Sequence, residues 1–169
     1  NHHEEIILEA KQVSLADTFG FTEILKDISV QIKKRDRAAI IGTSGSGKTS
    51  FLRLLNRLNE PTQGSLYFQG ISYQDLSVFS LRQQIVLVPQ EPKLLGFTVK
   101  EALAYPLTLQ QVSPTEIKRR ITSYCEQLQI PESWFAKGEL ELSLGQRQLV
   151  TIARGLIMQP EILLLDEPT

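Results

Sequence analysis

The sequence predicts an α/β fold with a mostly parallel sheet, and three apolar stretches carry that prediction. Arg37-Ala38-Ala39-Ile40-Ile41 is short and ends at a glycine, as a buried strand does. Ile85-Val86-Leu87-Val88 is a second such strand. Ile162-Leu163-Leu164-Leu165 is a third, and a run of four aliphatics suits a central parallel strand covered on both faces. Between the second and the third, helical periodicity replaces strand alternation.

The earliest part of the chain reads differently. Ile6 to Leu15 and Ile28-Ser29-Val30-Gln31-Ile32 are strands, the second alternating apolar with polar. Asp17 to Thr22 between them is a polar loop carrying Phe19 and Phe21. Either ring could stack on a flat nucleobase or cap the core beneath a hairpin, and the residues alone leave both open. Lys33-Lys34-Arg35-Asp36-Arg37 is a solvated turn entering the next strand.

Gly42-Thr43-Ser44-Gly45-Ser46-Gly47-Lys48-Thr49 then fits the phosphate-loop pattern of glycine, four residues, and Gly-Lys-Thr. Its flanks support that reading, since a strand precedes it and Phe51, Leu54, Leu55 and Leu58 come after it at helical spacing until Asn59-Glu60-Pro61. Glycines let successive N–H groups curl around an anion, and the helix adds the positive end of its dipole. Lys48 brings a mobile cation to the outer phosphates, and the Thr49 hydroxyl is a ligand for Mg²⁺.

Beyond the loop, Ser65 to Phe68 is a short strand and Ser80 to Gln84 a turn of helix. Gln90 lies just past the second buried strand, at the end where ligands bind in open α/β sheets, and Pro89 and Pro92 turn the next segment into a loop. Ser113-Pro114-Thr115-Glu116 has the signs of a helix start. Ile117, Ile121, Tyr124, Cys125 and Leu128 then form one stripe. Trp134 and Phe135 are packing residues, and Lys118-Arg119-Arg120 is a solvated face. Ser143 heads a further amphipathic helix, where a hydroxyl normally serves as a cap. Asp166 and Glu167 end the third buried strand, a costly place for two acids unless a cation meets them.

Composition narrows the classes. The chain has 169 residues, 41% hydrophobic and 22% charged, with a net charge of −1, so no global field favours nucleic acid or an anionic membrane. A single cysteine, Cys125, excludes an internal disulfide framework, suits a reducing cytoplasm and reads as a small buried thiol. No run approaches the roughly 20 apolar residues that span a bilayer. Asn1-His2-His3 is given no metal role.

Taken in order, the phosphate loop, Gln90, Leu142-Ser143-Leu144-Gly145-Gln146 and the strand into Asp166-Glu167-Pro168-Thr169 resemble the ATP-binding cassette (ABC) ATPase of a transporter. The resemblance covers the chain from Ile6 on. It implies a phosphate-loop NTPase core with a mostly parallel sheet, an N-terminal antiparallel β-subdomain and an inserted helical subdomain. Residues 4–97 and 159–169 would be the core with its β-subdomain, and 98–158 the helical subdomain with the signature helix.

The resemblance also assigns roles. Phe19 matches the aromatic that stacks on adenine, with Phe21 as the fallback. Gly42, Thr43, Ser44, Gly45, Ser46, Gly47, Lys48 and Thr49 would hold the phosphates, with Ser50 close to the α-phosphate. Thr49, Gln90 and Asp166 would approach Mg²⁺, and Glu167 would polarise the attacking water as general base. Ser143, Gly145 and Gln146 would face the γ-phosphate of ATP held by the opposite subunit of a head-to-tail dimer. A transmembrane permease is the implied partner, docking by a short helix on the surface that includes Phe97 and Tyr105. The expected location is the cytoplasmic face of the cell membrane, and no nucleic-acid partner is expected.

Two departures from the family stand out. Leu144 occupies a signature position where the family has glycine, adding a branched side chain and restricting φ/ψ. The sequence also stops at Thr169, before the family's loop to the facing subunit and its γ-phosphate histidine. A C-terminally truncated domain that binds ATP and hydrolyses it poorly or not at all is therefore expected. Competing readings are a soluble cassette ATPase of DNA repair or translation, or a phosphate-loop small-molecule kinase. The first lacks its usual insertions here, and the second leaves Ser143 to Gln146 without a purpose.

Overall fold

β1 (Ile6–Ala16) and β2 (Glu23–Lys33) pair antiparallel around the Asp17 to Thr22 loop. The computed structural model describes residues 5–34 and 47–166, and divides into two units, one running to Ile85 and one starting at Val86. β2 starts earlier than its alternation suggests. Its pairing shifts between Val13↔Ile28 and Leu15↔Leu25, and Asp27 takes a left-handed φ of 46° at the shift. Such a bulge breaks the two-residue period, so the pattern hides Glu23 to Asp27. The Ser14 hydroxyl accepts the Asp27 N–H and the Ser29 hydroxyl accepts the Gln12 N–H, both at 2.9 Å.

β3 (Gln63–Phe68) joins the other edge of β1, and β4 (Ile71–Ser72) extends the sheet to the order β2-β1-β3-β4. Gly64 is required there: at its φ of 90° a Cβ would lie 2.3 Å from the Gln12 carbonyl oxygen.

α1 (Lys48–Leu55) is shorter than its apolar spacing implies. Phe51, Leu52, Leu54 and Leu55 are buried, but Leu58 is half exposed beyond the helix end. Arg57 takes a left-handed φ of 60° and sends its guanidinium to the carbonyls of Tyr73 (2.7 Å) and Leu76 (3.0 Å). The Tyr73 hydroxyl donates to the Leu55 carbonyl, closing the last turn of α1. α2 (Val78–Gln84) completes this unit, capped by Ser77.

β5 (Ile85–Val88), which belongs to the second unit from Val86 on, and β6 (Ile162–Leu165) form a parallel pair. Leu164 is buried, whereas Leu165 is 40% exposed, so the four aliphatics are not covered alike. α3 (Val99–Leu109), α4 (Pro114–Gln127) and α5 (Leu144–Ile157) are each headed by a hydroxyl cap, from Thr98, Ser113 and Ser143. Their facing sides share one core that includes Leu103, Leu107, Ile121, Cys125, Val150 and Ile157. Trp134 and Phe135 pack on its margin, as structural residues do. Burial pushes the Cys125 thiol pKa up, which keeps it a protonated packing group. α5 lies close on the strand pair through Gly155, where a Cβ would stand 2.9 Å from Leu163 Cδ1.

Candidate functional site

Among the described α-helices, α1 alone begins without a side-chain cap. Gly47 stands at its head in the left-handed region, at φ 88° and ψ 5°. That conformation suits glycine, and packing reinforces the need: a Cβ would lie 2.9 Å from both the Ile24 carbonyl oxygen and Leu25 Cδ2. β2 therefore fixes where the helix starts and where Lys48, Thr49 and Ser50 stand in its first turn. These three are partly buried. Gly42, Thr43, Ser44, Gly45 and Ser46 lie outside the described residues, as do the strand expected over 37–41 and Glu167.

Phe19 and Phe21 extend into solvent, 78% and 89% exposed. Their rings stack on each other with centroids 6.5 Å apart and planes 25° apart. The alternative of capping the core is thereby removed. A backbone turn holds the loop, with the Asp17 carboxylate accepting the Phe21 N–H at 2.9 Å.

In the second unit the parallel pair brings Gln90 and Asp166 to one end. Asp166 follows β6, is 6% exposed, and donates its N–H to the Val88 carbonyl at 3.0 Å. Gln90 lies two residues past Val88 and is exposed. Both follow the carboxyl ends of parallel strands, where ligand sites of open α/β sheets form.

The signature forms a capping box. The Ser143 Oγ accepts the Gln146 N–H at 3.1 Å, and the Gln146 side-chain oxygen accepts the Ser143 N–H at 2.8 Å. Each group acts as acceptor here, which leaves the hydroxyl proton and the amide NH₂ for donation. Ser143, Leu144 and Gly145 are exposed, and Gly145 has nothing within 4 Å of where a Cβ would be. Leu144 enters the first helical position without a positive φ. The local backbone thus accepts leucine without strain, and the side chain is 55% exposed. On the surface after Gln90, the rings of Phe97 and Tyr105 lie 5.0 Å apart.

The model of the ABC transporter family matches residues 25–169, and the chain belongs to that family. Methionine import ATP-binding protein MetN 1 of Bacillus cereus is 40% identical in an alignment that covers 96% of this chain and 49% of that relative. The chain thus spans about half the length of this curated relative. Among solved structures, cbiO1 from Clostridium perfringens, part of the ABC transporter complex cbiONQ, superposes with a TM-score of 0.85 at 30% identity, covering 98% of this chain and 67% of that one. A dimeric ATP-binding cassette in a post-hydrolysis state, bound to ADP and Pi, gives the same score and identity over 96% of this chain and 75% of that chain. The fold is accordingly that of the ABC ATPase cassette, with its phosphate-loop core.

Proposed function

We propose that this chain is the ATP-binding and hydrolysing cassette that energises a separate membrane permease. The head of α1 carries the reading. Gly47 is held in a conformation and a packing contact that exclude a Cβ, and it opens a helix without a side-chain cap directly before Lys48 and Thr49. A helix start of that kind, behind a phosphate-loop sequence, is an anion site.

In this reading Gly42 to Thr49 cradle the phosphates, Ser50 lies near the α-phosphate and Phe19 stacks on adenine. Thr49, Gln90 and Asp166 offer hydroxyl, amide and carboxylate oxygens, and the burial of Asp166 fits a small hard dication such as Mg²⁺. When bound, that ion neutralises charge developing on the phosphates. Glu167 orients and deprotonates the attacking water. Ser143, Gly145 and Gln146 meet the γ-phosphate of ATP on a second cassette, head to tail. The dimeric cassette among the similar structures supports dimerisation. Membership of a transporter complex by cbiO1 supports the permease partner. Among the described residues no helix is long and apolar enough to cross a membrane. Peripheral attachment at the cytoplasmic face is the proposed location. The nucleotide core would comprise 4–97 and 159–169, and the helical subdomain 98–158.

The test is Lys48→Ala. Loss of a charge-assisted contact lowers Mg-ATP affinity by about ten- to a hundredfold. Undiminished affinity, measured by calorimetry, sinks the proposal. Glu167→Gln is expected to trap an ATP-dependent dimer.

A further inference from the structure

One peptide group in the second unit is gripped at both poles. The Leu94 N–H donates to Glu139 Oε1 at 2.6 Å. The carbonyl of the same peptide, that of Lys93, accepts from Arg154 Nη1 at 3.3 Å. N–H and C=O of a trans peptide point in opposite directions, so the two side chains reach it from opposite sides. Glu139 lies four residues before Ser143, and Arg154 is in the third turn of the helix that Ser143 caps. The gripped peptide is four residues after Gln90, and the Leu94 side chain is fully buried in the core shared with Leu142 and Val150. Leu95, immediately beyond, is 75% exposed. Burial pushes the Arg154 guanidinium pKa down, as expected of a cation drawn inward to reach its acceptor.

We propose that Glu139 and Arg154 are positioning residues that clasp the loop after Gln90 to the signature helix, so that the two move as one piece. For its purpose the inference rests on the transport-cassette reading. A load placed on the exposed loop by a docked membrane partner then reaches Ser143 and Gly145 without loss in the connection. With at most about 3.5 Å of chain per residue, Gln90 is tethered within about 14 Å of the clasp. The clasp therefore restricts both groups through this one peptide. Neither Glu139 nor Arg154 need touch nucleotide.

The test uses the whole chain without nucleotide. Amide hydrogen exchange at Leu94 is measured in Glu139→Ala, Glu139→Gln and Arg154→Met. Glutamine keeps an acceptor oxygen, so Glu139→Gln should retain protection, whereas the other two should lose about tenfold. A second readout separates coupling from mere capping. Spin labels at Leu95→Cys and Leu144→Cys, in a Cys125→Ser background, report the loop-to-signature distance. A narrow distribution that broadens in Glu139→Ala and Arg154→Met, and stays narrow in Glu139→Gln, is expected. Unchanged exchange at Leu94, or lost protection with an unbroadened distance, overturns the clasp. If Glu139→Ala does not fold, Arg154→Met carries both readouts. A negative result here leaves Mg-ATP binding to Lys48 untouched, and a failed Lys48 test leaves these two readouts standing, so the two proposals fail separately.

Discussion

Gly47 rests on Ile24: a Cβ on the glycine would stand 2.9 Å from the Ile24 carbonyl oxygen. The start of α1 is thereby set by backbone contact with β2, within the first unit. Backbone cannot yield as a side-chain tip can, and φ is already 88°. Gly47→Ala is expected to lower stability by about 2 kcal/mol or more, through strain and overlap together. The midpoint of urea unfolding measures it. An unchanged midpoint would show that the helix start is free to shift.

The two exposed rings of the first loop are separable by mutation. Base stacking contributes about 1–3 kcal/mol per base. Phe19→Ala should therefore weaken ATP binding about tenfold or more, and Phe21→Ala much less. Equal losses would mean that the stacked pair acts as a unit, with the 6.5 Å ring contact setting the position of Phe19.

Tyr73 ties the end of α1 to the turn after β4. Burial raises the pKa of its hydroxyl above the ordinary tyrosine value, and the neutral O–H donates to the Leu55 carbonyl. Tyr73→Phe leaves that carbonyl without this donor and should cost about 1–3 kcal/mol, read from thermal or urea unfolding. Because the folded-state pKa is raised, the hydroxyl's contribution is complete below the ordinary value near 10 and falls as pH rises above it.

Glu116 predicts an acid limb. Hydrogen bonds from Arg119 (2.6 and 2.8 Å) and Arg120 (3.0 Å) hold its carboxyl at about 2, below its ordinary value. A folded-state pKa depressed in this way adds stability that is present above the unfolded value. That stability is lost as pH falls from about 4.5 to about 2. Glu116→Gln should flatten this limb of the stability profile. It should also loosen Arg120, whose guanidinium reaches the Ile157 carbonyl at the end of α5 (3.3 Å). A carboxyl carbon that titrates at an ordinary value by NMR would contradict the ion pair.

Much of the architecture is readable along the chain because it is local. The runs 85–88 and 162–165 are strands because short, continuous, branched aliphatic runs favour extended backbone, although only Ile85, Val88 and Leu164 of them are buried. Ser113 and Ser143 begin helices because a hydroxyl three residues before an amide accepts its N–H. The start of β2 is not readable, since the bulge at Asp27 shifts the alternation. Nor is the end of α1, where Arg57 turns left-handed although Leu58 keeps the helical spacing.

The sequence by itself determined the chemistry available to this protein: the glycines, Lys48 and Thr49 of the phosphate loop, the acids that end the last strand, and the hydroxyl that heads the signature helix. Those depend on residue type and on spacing along the chain. Only the tertiary structure decided that Phe19 and Phe21 face solvent, that Leu144 enters its helix unstrained, and that Glu139 and Arg154 hold one peptide between them. Glu139 and Arg154 lie 45 and 61 residues from their partners, and no periodicity records which distant peptide a side chain will reach. Packing of α5 and the loop on a common core makes that choice.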